Sequence, residues 1–182
     1  MLYTGKGDDG KTTTFGCDQK ISKSSAITEA LGCLDEINSF LGVVKVKSGI
    51  SGYKITDMAF GIIIDNIQQN LFIIQAEVAG SDMRISEDKV KEAEILISEI
   101  EKELPPIKTF FISGGTELAA LFDFARTLVR RAERRVVEVV DEGQTLGEFT
   151  VSYLNRLSSL LYALARFSNH VAQITEESPN YK

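Results

Sequence analysis

The chain has 182 residues, 43% of them hydrophobic and 25% charged, with 26 acidic side chains against 20 basic ones and a net charge of −6. That composition describes one globular domain with a sizeable core, and it excludes a collagen-like or low-complexity chain and a general nucleic-acid binder. No apolar run reaches the roughly 18 residues of a membrane span, and Met1–Gly10 carries no apolar signal segment, so the expected location is the cytoplasm. Cys17 and Cys33 are too few for a disulfide framework and read as free thiols of a reducing compartment. His170 is the only histidine, which makes a Ser-His-Asp triad, a two-histidine zinc site or a pair of Glu-x-x-His motifs hard to build within one chain.

Residues 1–23 are rich in Gly, Thr, Asp and Lys and form no periodic apolar pattern, so an extended arm is expected. The first helix is predicted over Ser24–Lys47, where Ile27, Ala30, Leu31, Leu34, Ile37, Leu41 and Val44 recur at three- and four-residue steps. Gly49 and Ser51-Gly52 should end it. The second is predicted over Tyr53–Ala79 with Gly80 at its C-terminal end, and the third over Glu87–Leu104, capped by Ser86 and stopped by Pro105-Pro106. The fourth runs Thr116–Asp141 and the fifth Phe149–His170, with a short loop that makes them antiparallel neighbours. The polar tail after Ile174 is expected to fray. The fold class is therefore all-α: a single domain over 1–182, with an arm (1–23), a five-helix bundle (24–171) and a tail (172–182).

Gly5-Lys6-Gly7-Asp8-Asp9-Gly10-Lys11-Thr12 satisfies the P-loop and G-x-G-x-x-G patterns literally. Both require a buried strand before the glycines and a helix directly after, and neither is predicted here. The chemistry behind the pattern can survive without that fold, because glycines let backbone N–H groups converge on an anion while Lys and Thr add donors. A flexible, solvated N-terminus is the competing reading.

The fourth helix carries Arg126, Arg130, Arg131, Arg134 and Arg135 with Glu133 among them. At about 100° per residue, Arg126, Arg130, Glu133 and Arg134 share one face beside the apolar stripe, while Arg131 and Arg135 fall on another side. Arginine forks suit phosphate oxygens bidentately. A solvated face of Arg–Glu pairs is the alternative. Asp35 and Asn38 on the first helix and Asn155 on the fifth interrupt apolar patterns, so they are either paired within the bundle or aimed at a ligand.

Four segments together resemble the PduO-type ATP:cob(I)alamin adenosyltransferases. They are Tyr3-Thr4 with Gly7-Asp8-x-Gly10-x-Thr12; Leu34-Asp35-Glu36-Ile37-Asn38-Ser39; Gly114-Gly115-Thr116-Glu117-Leu118 running into Ala125-Arg126-Thr127 and Arg130–Arg135; and Tyr153-Leu154-Asn155-Arg156-Leu157-Ser158. The resemblance implies a homotrimer with active sites at subunit interfaces. It implies ATP, with Mg²⁺, and a reduced corrinoid as substrates, and a corrinoid reductase as a further partner. Cobalt would attack the 5′-carbon of ATP to give adenosylcobalamin and triphosphate, leaving the protein to bind, orient and neutralise.

By matching position, the resemblance implies that Thr4, Lys6, Gly7, Asp8, Gly10, Thr12 and Lys20 or Lys23 wrap the triphosphate. It implies that Arg130 and Glu133 contact ATP, with Arg134 and Asn155 beside them. Asp35 would pair with Arg130 across the subunit boundary. Phe110 would pack where the lower ligand of cobalt otherwise sits, leaving four-coordinate Co(II) that is easier to reduce. No resident metal site is implied in the protein. Three positions depart from the family pattern: Ser113 stands where Pro is usual, Ser159 where Asp is usual, and Gly5 where a basic residue is common. Two other functional readings compete, a catalytically silent ATP-binding regulatory bundle and a purely structural helical oligomer. The arm argues against the second of these.

Overall fold

The computed structural model describes residues 2–15 and 18–181, so Cys17 lies outside the described residues. Five helices carry the chain: α1 (Ala26–Ser51), α2 (Phe60–Val78), α3 (Glu87–Glu103), α4 (Glu117–Asp141) and α5 (Thr150–Val171). Two short antiparallel hairpins accompany them, β1 (Lys11–Thr12) with β2 (Ile21–Ser22) and β3 (Lys54–Ile55) with β4 (Met58–Ala59). The all-α, five-helix expectation holds. None of the helices is long and apolar enough to cross a membrane among the described residues.

Helix α4 lies between α1 and α5, α2 packs on the far side of α1, and α3 packs on α5. Directions follow from the cross-links. Lys47 pairs with Glu117 and Arg135 with Glu29, so α1 and α4 are antiparallel. Asn155 bonds to Glu133 while Asn169 bonds to Thr116, so α4 and α5 are antiparallel as well. The core is built from the periodic apolar positions of every helix, including Leu34, Ile37, Ile67, Ile74, Phe122, Val129, Leu157 and Leu164. Phe60 centres one end of it, edge-on to both Tyr53 and Phe122.

Two boundaries differ from the sequence expectation. Helix α1 continues through Gly49 and ends at Ser51, with Gly52 as its left-handed C-cap at φ 68°. A single helical Gly costs only about 1 kcal/mol, and burial of Val44 and Ser48 just before it carries the helix on. Helix α2 starts at Phe60, and residues 54–59 form the β3–β4 hairpin that turns at Thr56 and Asp57. Ile55 is buried in that hairpin and not on a helix face. Cys33 is a buried free thiol, as expected, and His170 is exposed.

The tail also departs from expectation. The amide of Ile112 donates to the carbonyl of Glu177 at 2.8 Å, and the Glu176 carboxylate meets the Arg166 guanidinium. The segment therefore folds back onto the bundle at residues 176 and 177.

One buried carboxylate joins distant parts of the chain. Glu77, near the end of α2, has a fully buried side chain. It accepts from the Gly147 amide and, at 2.6 Å, from the Thr150 hydroxyl, at the start of α5. Those donors flank the start of α5, where partial positive charge favours an anion, and the Arg84 guanidinium pairs with the same carboxylate at 3.5 Å.

Candidate active site

The turn before α4 sets the geometry. Asn169, on the last turn of α5, accepts from the Thr116 amide at 2.9 Å and donates to the Gly114 carbonyl at 2.8 Å. Gly115 sits at φ +97°, and a Cβ there would collide with the Asn169 side chain. Thr116 then caps α4, its hydroxyl accepting from Ala119 N–H at 3.1 Å. Gly114 N–H donates to Asp123 at 3.2 Å, in the second turn of the helix. The Gly-Gly pair is thus fixed from both neighbouring helices, which aims the preceding residues 107–113 across the gap between α4 and α5.

That gap is a cavity of about 620 Å³. Residues 107–111 and Ser113 form one wall, Asp123, Arg126 and Arg130 of α4 a second, and Ser158, Ser159 and Tyr162 of α5 a third. Phe110 is 78% exposed at its rim. Its lining joins an apolar surface to two arginines, which suits a ligand with a large apolar body and an anionic part. The structure therefore brings Phe110 and Arg130 together. Both departures from the family pattern on this side of the molecule, Ser113 and Ser159, line the same cavity.

The charges on α4 divide by side. Arg131 pairs with Glu36, and Arg135 with Glu29 at 3.7 Å and Glu138 at 2.8 Å, so this side faces α1. On the other side, the Arg126 guanidinium lies 5.8 Å from the ring centre of Tyr162 on α5 and 3.9 Å from Asp123. Its Nε is buried without a hydrogen-bond partner. The Arg130 guanidinium has no hydrogen bond or ion pair among the described residues, and Arg134 donates to the Arg130 carbonyl at 3.0 Å. Glu133 accepts from the Asn155 amide at 3.1 Å, and Arg156 donates to Asn155 at 2.8 Å, so Glu133, Asn155 and Arg134 form one polar cluster beside Arg130. Burial raises the Asp123 carboxyl above the usual carboxylate range, against the opposing pull of the Gly114 N–H and Arg126. Burial likewise raises the phenol of Tyr162.

The arm is organised by its own turns. Asp8 N–H donates to Gly5, Gly10 N–H to Gly7, and Lys23 N–H to Gly10. Lys20 pairs with Asp9 at 2.7 Å, and this bond lowers the Asp9 pKa. The Lys23 ammonium instead rests on Gly7, where a Cβ would come within 2.8 Å of Nζ. Lys6 N–H reaches the Thr4 hydroxyl at 3.4 Å, and Thr12 lies in β1. No helix starts at the Gly10-Lys11-Thr12 segment, so the P-loop context is missing. No hydrogen bond or ion pair among the described residues joins the arm to residues 107–135. Asp35 is exposed on α1 without an ion-pair partner among the described residues, and within one chain it does not meet Arg130. The structure thus presents the predicted residues as three groups: the arm, the cavity edge of α4 with Phe110, and Asp35.

Sequence reading missed Asp123, Tyr162 and Arg166. Asp123 sits in the apolar run Leu121-Phe122-Asp123-Phe124, a signal of the same kind as Asn155 in its helix.

Comparison with known proteins decides the family. The family model described as cobalamin adenosyltransferase matches residues 2–168. The chain belongs to the cobalamin adenosyltransferase family. Among relatives, it is 36% identical over 173 residues to the corrinoid adenosyltransferase of Bacillus subtilis, covering 92% of this chain and 86% of that one. It is 35% identical over 178 residues to the corrinoid adenosyltransferase PduO of Citrobacter freundii, covering 94% of this chain but 50% of that protein. The chain thus spans about half the length of the PduO relatives it matches. A Phe-to-His variant of the PduO-type ATP:corrinoid adenosyltransferase from Lactobacillus reuteri, complexed with cobalamin and ATP, superposes with a TM-score of 0.88 at 28% identity, covering 100% of this chain and 97% of that one.

Proposed function

We propose that this protein transfers the 5′-deoxyadenosyl group of ATP to the cobalt of a reduced corrinoid such as cob(I)alamin, releasing triphosphate. The observation that carries the reading is the shared cavity, in which an exposed phenylalanine and an arginine without an ion pair among the described residues face one opening. Family membership and the solved relative holding cobalamin and ATP support it.

Cobalt is the nucleophile, so the chain supplies position and charge. Phe110 and the apolar wall receive the corrinoid face and exclude a lower ligand to cobalt. Arg130, with Arg134 beside it, meets the negative charge that grows on the triphosphate as the C5′–O bond breaks. Glu133 and Asn155 hold each other and orient the nucleotide. The arm, with Thr4, Lys6, Gly7, Asp8, Gly10 and Thr12, closes over the phosphates, and Lys23 is the lysine free to join it, since Lys20 is engaged by Asp9. Mg²⁺ enters as MgATP, held mainly by the phosphates. Lack of a hydrogen bond or ion pair between arm and cavity among the described residues of one chain supports a homotrimer whose sites form between subunits, with Asp35 reaching Arg130 of a neighbour. The setting is the cytoplasm, and a separate corrinoid reductase delivers the electron.

The test is direct. Protein, MgATP and chemically reduced cobalamin are mixed and the visible spectrum followed for adenosylcobalamin. ATP binding without spectral conversion would favour the silent regulatory bundle instead.

A further inference from the structure

Arg166 lies deep in α5, 5% exposed, in a run of otherwise apolar and small buried positions. The mechanism above gives it no role. Its guanidinium takes three bonds to one carboxylate: Nε to both oxygens of Glu176 at 3.1 and 3.0 Å, and Nη2 to one of them at 2.9 Å. Nη2 also donates to the Pro105 carbonyl at 3.2 Å, and the guanidinium stacks 5.0 Å from the centre of the Phe111 ring. One residue along the tail, the Glu177 carbonyl accepts from Ile112 N–H. The 105–112 segment is thereby tied at one end to Arg166, and through it to Glu176, and at the other end directly to residue 177. Phe110 sits between those ties.

A buried ion pair is weak evidence for stability, since apolar side chains of similar volume often serve as well. This one is distinguished by what it fixes. A planar fork can satisfy a carboxylate, a carbonyl and a ring face at once only in one orientation of all three.

We propose that Arg166 and Glu176 form a latch that positions the 105–112 segment, and Phe110 with it, for the corrinoid half of the reaction. They are positioning residues, acting through Phe110 and not on the substrates. The inference rests on the function proposed above for its kinetic consequence.

Glu176→Ala in the full chain opens the latch. Amide hydrogen exchange should quicken across 105–112 and stay unchanged in α1 and α2. With Co(II) substrate and a reductant, kcat/KM for the corrinoid should fall by about tenfold, while KM for ATP stays within about twofold. Loss with pre-reduced Co(I) should be smaller. Combined with Phe110→Ala, the two losses should be less than additive, as expected if both act through one ring. Glu177→Ala, which keeps the backbone carbonyl, is the control and should behave as wild type. If Glu176→Ala does not fold, Glu176→Gln keeps one acceptor and should show the same pattern in weaker form. Unchanged exchange at 105–112, equal damage to ATP and corrinoid kinetics, or strict additivity with Phe110→Ala would each overturn the latch. A wild type that converts no corrinoid would instead remove the proposed function, and the exchange measurement would still decide the latch.

Discussion

The two sides of α4 carry the same residue type for different ends. Facing α1, Arg131 and Arg135 are matched by Glu36 and Glu29. Facing α5, Arg126 has a loose contact with Asp123 and the face of the Tyr162 ring, and the Arg130 guanidinium has no ion pair or hydrogen bond among the described residues. A bundle that needed arginines only for packing would pair both sides. The difference teaches that the arginines on the α5 side of α4, left without a close carboxylate while those on the α1 side have one, are the ones with charge to spare for the proposed ligand.

Arg130→Ala tests that contrast most severely. It should lower kcat by about 10²- to 10³-fold, the cost of removing one preorganised donor to a developing anion. Melting temperature should barely change, because no side-chain hydrogen bond or ion pair among the described residues is lost. Near-normal turnover in the spectral assay would dissolve the distinction between the sides. Phe110→Ala, on the same cavity, should cost about tenfold with Co(II) and less with supplied Co(I). Equal losses on both substrates would leave the arginine side intact but deny the ring its role at cobalt.

Asp123→Asn sharpens the electrostatics of the cavity side. Burial raises this carboxyl, so the folded chain binds its proton more tightly than the unfolded chain does. The stabilisation it provides is present below the ordinary carboxylate value of 3.8 and is lost as pH rises through the folded value. At neutral pH the ionised group is a net cost. Asparagine keeps an acceptor for Gly114 N–H, so the variant should melt higher at neutral pH, and its advantage should close on acidification. Circular dichroism melts at several pH values read this directly. The smallest effect belongs to the α1 side. Arg131→Gln should cost about 0–1 kcal/mol, the worth of a half-exposed ion pair, and leave adenosylation unchanged.

Much of this arrangement was legible before any coordinates, because helices announce themselves by period. The division of the α4 arginines followed from spacing alone, and so did the short link that sets α4 against α5. The β3–β4 hairpin was not legible: Ile55, Met58 and Ala59 fit a helical period over five residues as well as they fit a hairpin. The latch was hidden for another reason. Arg166 lies in a helix whose neighbours are apolar, and Glu176 lies in a polar segment with no periodicity, so nothing local joins them. The proposed grouping of arm, Asp35 and cavity into one site comes from family resemblance alone, since no hydrogen bond or ion pair among the described residues joins these groups within a single chain.

Glu77 has a consequence for where a negative ligand can go. The N-terminus of α5 is the kind of helix end that attracts phosphate, with the positive end of its dipole turned toward any anion placed there. Here the protein plugs that socket with its own carboxylate, carried from α2 and sealed from solvent. The fold thereby removes a decoy from its own interior. Under the proposed function, anions are left to the outer edge of α4 and to the arm, where binding could be undone each cycle and the product released.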